Sequence, residues 1–167
     1  MCVWMQHSIE LALIQSGVTH NWLDHAPSYG AASSQKVLAK FGLPVLKNIL
    51  VFLPTGPAIV VIPAHHRLDL SRLEKVAAAP VRLGTSQEAW ALFSDCEFGV
   101  IPPLGTLYRI STLWEDCLFE MGTAVMRGNT TTRSFVVILP ELRAYDRPVI
   151  VSNLSKADHR PAIRSTV

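Results

Sequence analysis

Two uninterrupted apolar runs, Ile49–Leu53 and Ala58–Ile62, stand out in a chain whose hydrophobic and polar positions otherwise mix. Between them lies Pro54-Thr55-Gly56-Pro57, with the prolines and glycine of a tight turn. A strand apolar at every position is covered on both faces, so the pair predicts a central, buried hairpin. Val18 to Leu23 alternates through Val18, His20 and Trp22 and reads as a short strand. Further short strands are expected at Val81–Leu83, Leu107–Ile110, Trp114–Leu118, Thr123–Met126 and Ser134–Leu139. Helices are expected over residues 5–16, ending at Ser16-Gly17, and from a cap at Ser33 or Ser34 to Phe41, closed by Gly42 and Pro44. Two more are expected at Leu68–Ala79, with Asp69 as its cap, and Ser86–Phe93, with a final helical turn over Pro140–Tyr145. Beyond Ser152 the chain is polar and basic through Lys156, His159, Arg160 and Arg164, which predicts a tail without a core. Short strands interleaved unevenly with helices imply an α+β single domain, with a curved, barrel-like mixed sheet surrounded by helices. The expected division is a domain at 1–152 and a tail at 153–167.

Composition narrows the classes. At 167 residues with 49% hydrophobic and 17% charged residues, the chain has enough apolar material for one real core. Neither apolar run approaches the ~20 residues needed to span a bilayer, and Met1-Cys2-Val3-Trp4-Met5 lacks the basic start of a signal peptide. No membrane partner and a cytoplasmic setting are therefore expected. Cys2, Cys96 and Cys117 are odd in number and widely scattered, so they support neither a zinc knuckle nor a disulfide framework. Nothing near Cys96 in sequence would lower its pKa, which argues against a thiolate nucleophile. A net charge of +2 is a mild bias that does not by itself predict nucleic acid, though it is compatible with a protein that grips only the end of an RNA; no DNA partner is expected.

The stretch Gly99-Val100-Ile101-Pro102-Pro103-Leu104-Gly105 has neither helical nor strand periodicity. Its prolines fix φ and bias Ile101 and Pro102, each preceding a proline, away from the helical region. The product is a stiff, apolar, extended loop. In this order along the chain, the strand Lys47-Asn48-Ile49-Leu50-Val51-Phe52, the helix Ser86–Phe93 and the Gly99–Gly105 loop resemble the YbaK / prolyl-tRNA-synthetase-associated editing domain family. The resemblance runs from about His25 to Leu142. It implies an aminoacyl-tRNA deacylase fold and leaves the aminoacyl group open.

Lys47 precedes the most buried strand, where an ammonium can anchor an anion or a carbonyl. By resemblance it is also the residue most associated with deacylation. A lysine of ordinary pKa is protonated and cannot act as general base, so its expected role is electrostatic. Asn48 adds an amide, but adjacent strand residues face opposite ways, so both serve one site only if the strand begins after Asn48. Gly99, Ile101, Pro102, Pro103 and Gly105 are expected to form a rigid wall that sorts acyl groups by volume, at about 1–3 kcal/mol per methylene. The resemblance places Gly128 and Asn129 at the pocket rim and a histidine at His25. Where some family members carry a further histidine, Thr130-Thr131-Thr132 stand here, which speaks against a histidine-assisted variant. His65-His66-x-x-Asp69 offers no sufficient ligand set, so no metal and no cofactor are expected. Lys36, Lys40, Arg109 and Arg127 are candidate contacts to RNA phosphates. Each of these residues also has a plain structural explanation: a strand-edge lysine, a loop histidine, a rigid connector, a hydroxyl-rich turn, a solvated helix face.

Three readings follow. The first is a free-standing, metal-free hydrolase cleaving the ester of a mischarged tRNA, with water positioned by Lys47 and the substrate ribose hydroxyl. Its partners would be the acceptor end of aminoacyl-tRNA and, as a further candidate, an aminoacyl-tRNA synthetase. The second is a non-catalytic RNA-end or protein-binding module on the same fold. The third is a hydrolase of another small ester or amide.

Overall fold

The computed structural model describes residues 7–158. Cys2, the expected helix start at Met5, and the tail residues His159, Arg160 and Arg164 lie outside the described residues. The centre of the fold is the expected hairpin. Strands β2 (Leu46–Leu53) and β3 (Gly56–Pro63) pair antiparallel, with Leu53 opposite Gly56 and Leu46 opposite Pro63. Side chains alternate between the two faces of β2. Leu46 and Leu50 pack with Phe93, Trp114 and Phe135 on one side, while Val51 joins Leu73, Leu113 and Leu154 on the other. From Ala58 to Ile62, β3 is fully buried. Each aliphatic side chain removed from water this way contributes about 1.5–3 kcal/mol, which makes the hairpin the anchor for everything around it.

Strand β6 (Ser111–Glu115) adds parallel to β3, and β9 (Val149–Val151) adds parallel to β6. On the opposite edge, β5 (Arg82–Leu83) pairs only with Val51 and Phe52 of β2. The result is a mixed five-stranded sheet in the order β5-β2-β3-β6-β9. A second, antiparallel sheet holds β1 (His20–Asp24), β8 (Arg133–Ile138) and β7 (Thr123–Thr130) in the order β1-β8-β7. A parallel bridge from Val45 to Val125 and a 2.8 Å bond from the Val125 N–H to the Pro44 carbonyl link the sheets. Among the described residues five α-helices accompany the sheets: α1 (His7–Gln15), α2 (Gly30–Leu38), α3 (Leu70–Ala77), α4 (Ser86–Leu92) and α5 (Leu139–Asp146). Asp69 caps α3 as expected, its carboxylate accepting from the Arg72 N–H at 3.1 Å. The α+β class and the mixed sheet hold, and no sheet closes on itself among the described residues.

Four expectations are corrected. Leu107–Ile110 is not a strand: Thr106–Tyr108 is a short 3-10 turn, held where the Thr106 N–H and hydroxyl bond Asp146 at 2.9 Å. The strand expected at Trp114–Leu118 is β6, shifted toward the N-terminus, with a 3-10 turn over Asp116–Glu120. Neither Ser33 nor Ser34 caps a helix, because α2 already begins at Gly30 and buried Ser34 donates to the Gly30 carbonyl. The expected tail is partly built into the fold. Leu154 is fully buried, and β10 (Ser155–Ala157) pairs with β4 (His66–Leu68). The segment looks polar because its side chains are used as ties: Ser155 donates to Glu115, and Lys156 pairs with Asp69 at 2.7 Å.

Candidate active site

β5 pairs with Val51 and Phe52, and the Gly84 N–H closes on the Leu50 carbonyl at 2.8 Å, so the edge of β2 from Leu46 to Ile49 has no strand partner among the described residues and a cleft of about 390 Å³ forms beside it. Helix α2 supplies one wall through Gly30, Ser34 and Leu38, and Leu83 with Gly84 closes one end. Gly99, Val100 and Ile101 form the facing wall, with Arg127 of β7 also lining the space. Such a volume suits a small ligand. Of the residues singled out in the sequence, Lys47, Asn48, Gly99, Ile101 and Arg127 line this cleft.

Strand β2 begins at Leu46, so Lys47 and Asn48 leave it on opposite faces and reach the cleft in different ways. Half-buried Lys47 is drawn below the usual lysine pKa, first by loss of hydration; the Asp158 carboxylate pulls the other way and Arg67 reinforces the fall. Asn48 donates its amide to the Ile101 carbonyl at 3.0 Å, fixing the loop against the strand. Its Oδ1 is buried and has no partner, an acceptor available to a ligand donor. Arg127 was legible as a cation, but its setting was not. Its Nη2 donates to the Ser28 hydroxyl at 2.6 Å and to the Ser34 hydroxyl. Among the described residues no carboxylate lies within ion-pair distance of it. Burial lowers its pKa, and the Glu97 field partly offsets the fall.

The remaining sequence candidates do not line the cleft. Pro102, Pro103 and Gly105 are buried; Gly105 donates its N–H to Thr112 Oγ1 at 2.9 Å, and a Cβ there would lie 2.3 Å from that oxygen. The wall is therefore the first half of the loop, not all of it. Gly128 is buried against Trp22, whose ring would stand 2.8 Å from an added Cβ. Asn129 is buried and donates to the Asp95 carbonyl at 3.3 Å. His25 is held by Ser134 Oγ and the Ala26 carbonyl, each at 2.8 Å. Lys36 and Lys40 are exposed on α2 and its continuation, with Lys40 over the Phe41 ring at 5.2 Å; exposed Arg109 ends the 3-10 turn with φ +58.

Other chemistries find little support in this geometry. Cys96 is fully buried and its thiol is pushed up to about 12 by lost hydration. Cys117 rises to about 12 for the same reason, reinforced by Glu115. Thiols of this kind are poor nucleophiles at neutral pH. His66 faces Ser155 Oγ at 2.7 Å and Asp69 is engaged by α3 and Lys156, so these two residues of the His65-His66-x-x-Asp69 pattern are tied to separate partners. Among the described residues no group of three or more His, Cys, Asp or Glu could hold a metal ion. No helix there is long and apolar enough to cross a membrane.

Known proteins agree with this architecture. Residues 26–145 match the family model of the aminoacyl-tRNA editing domain, and the chain belongs to that family. The hypothetical protein APE2540 has a similar structure, with a TM-score of 0.77 at 22% identity over 90% of this chain and 100% of its own. A candidate trans-editing enzyme for prolyl-tRNA synthetase aligns with a TM-score of 0.74 at 18% identity, over 92% of this chain and 98% of its own. At these identities the likeness concerns the fold. No match to a curated protein sequence was found.

Proposed function

We propose that this domain hydrolyses the ester joining a non-cognate amino acid to tRNA, working in the cytoplasm on the acceptor end of aminoacyl-tRNA. A synthetase is a natural partner in supplying that substrate. The observation that carries the reading is half-buried Lys47 at the open edge of β2, in a small, mostly apolar cleft of an editing-domain fold. The acyl group lies between α2 and Gly99–Ile101, and the Lys47 ammonium faces the ester carbonyl. A water oxygen bonds to that carbon while the bond to the ribose oxygen breaks. The water's proton passes to the ribose oxygen, directly or through the neighbouring hydroxyl, and free amino acid and tRNA depart. Lys47 stabilises the oxyanion that develops on the carbonyl, an effect worth about 10²–10³ in rate for one donor.

A panel of mischarged tRNAs tests this. Wild type should hydrolyse at least one, and Lys47→Ala should slow that turnover by about 10²–10³-fold. Since burial disfavours the charged form, removing the ammonium should leave the melting temperature unchanged or raise it. Activity that depends on the ammonium should fall as pH rises through the depressed Lys47 pKa. Full activity in Lys47→Ala, or unfolding of that variant, would give Lys47 a structural role instead. A wild type that binds tRNA and hydrolyses none of the panel would point to a binding module.

A further inference from the structure

Two turns border the mouth of the cleft, and they are built alike. Ser28-Tyr29-Gly30 leads into α2, and Glu97-Phe98-Gly99 leads into the apolar loop. In each, an exposed aromatic directly precedes a glycine in the left-handed region, φ +78 at Gly30 and +80 at Gly99, and both glycines line the cleft. Tyr29 is 72% exposed and Phe98 58%.

Both turns hang from one residue. The Thr131 carbonyl accepts from the Ser28 N–H at 3.0 Å, while the Thr131 N–H and hydroxyl donate to the Glu97 carboxylate at 2.7 and 3.0 Å. The Glu97 N–H donates to the Asn129 carbonyl at 2.7 Å, and the Val100 N–H closes the turn onto the Glu97 carbonyl at 2.9 Å. The two rings are thus presented by hydrogen-bonded backbone rather than by loose chain. Phe98 is backed by Trp90 of α4, with ring centroids 6.0 Å apart.

Rings held in water this way gain by stacking on a flat ligand. Unpaired nucleotides offer such faces, and stacking needs no reading of sequence. The charges fit the same ligand. On the Tyr29 side, Arg127 bonds the Ser28 hydroxyl and has no carboxylate within ion-pair distance among the described residues, and Lys36 is exposed on α2. On the other side, Glu97 is engaged by Thr131 and Glu88 by Arg82.

The geometry points to Tyr29 and Phe98 as aromatic lips that stack on the unpaired bases of the RNA acceptor end and hold its ester over the cleft. This rests on the cleft receiving an aminoacyl ester of tRNA, and it gives the Asn129–Thr131 turn a function: fixing both lips at once.

The test uses an acceptor-stem RNA hairpin with 2-aminopurine as its last nucleotide, whose fluorescence stacking quenches. Wild type should bind and quench it. Tyr29→Ala and Phe98→Ala should each weaken binding by about tenfold, and should raise KM for charged tRNA more than they lower kcat. Tyr29→Phe and Phe98→Tyr should keep wild-type binding, while Phe98→Leu should behave as Phe98→Ala. Alanine variants that bind as tightly as wild type, or leucine substituting fully for Phe98, would overturn the lips. Quenching without hydrolysis of any charged tRNA would remove the hydrolytic reading and leave the lips standing. Hydrolysis with no quenching and unaltered KM would do the reverse, and failure of both readouts would remove both.

Discussion

Gly99 and Gly105 bracket one apolar loop, and the fold uses them for opposite reasons. Gly99 sits at φ +80 in open surroundings, where an added Cβ would meet only Ser86 Oγ at 3.8 Å. It is a glycine because of its backbone angle. Gly105 has an ordinary φ of −63, but a Cβ would lie 2.3 Å from Thr112 Oγ1 and 2.5 Å from the Ile110 carbonyl. It is a glycine because there is no room. The first half of the loop, Gly99–Ile101, consequently walls the cleft, while Pro102–Gly105 belongs to the core. A glycine in a sequence states that a side chain is absent; only its neighbours state whether conformation or space demanded it.

The largest effect that would break this division is in Gly105→Val. The backbone carbonyl of Ile110 cannot swing away as a side chain can, so the variant should lose about 3 kcal/mol or more of stability. Its rates on alanyl, seryl and prolyl esters should fall together, without a change of order. A variant that melts like wild type yet reorders those esters would put Gly105 back in the cleft. Ile101→Ala probes the other half. Ile101 lines the cleft and its carbonyl is fixed by Asn48, so truncation should enlarge the acyl space. Larger acyl groups should gain by up to about tenfold per methylene's worth of contact, with a smaller fall in melting temperature than in Gly105→Val. Denaturation curves with the three ester rates separate the cases, and an unchanged ranking in Ile101→Ala would remove the loop from the site.

The sequence made some of this legible and hid the rest for identifiable reasons. The β2–β3 hairpin was readable because a continuous apolar run has few ways to be buried, and α3 because Asp69 is a cap in residue type and position. Lys47 and Asn48 were both readable as candidates, yet whether they share a face depended on where β2 begins, a boundary that Leu46 does not announce. The setting of Arg127 was hidden because Ser28 and Ser34 are distant in sequence and look like ordinary loop and helix serines. Thr130-Thr131-Thr132 read as a hydroxyl-rich turn; that Thr131 ties two other segments together appears only in three dimensions. Leu107–Ile110 has strand-like residues, but Asp146 captures the preceding backbone and turns it. Local pattern reports what a segment can form, and these contacts select among the possibilities.

The smallest effect sharpens the glycine comparison most directly, because one substitution can be made at both positions. Gly99→Ala adds a methyl group to open space, so its cost is the left-handed backbone alone, about 1 kcal/mol. The Val100 N–H still bonds the Glu97 carbonyl and Asn48 still holds Ile101, so the loop should keep its path and the ester ranking should persist. Gly105→Ala has no backbone-angle cost, yet the same methyl group meets Thr112 Oγ1 and a fixed carbonyl. Accommodating it requires the Gly105–Thr112 bond to shift, so this variant should be the less stable of the two. Paired denaturation curves decide the matter. If Gly99→Ala proves the more damaging, space rather than backbone angle limits the first half of the loop, and the contrast between the two glycines fails.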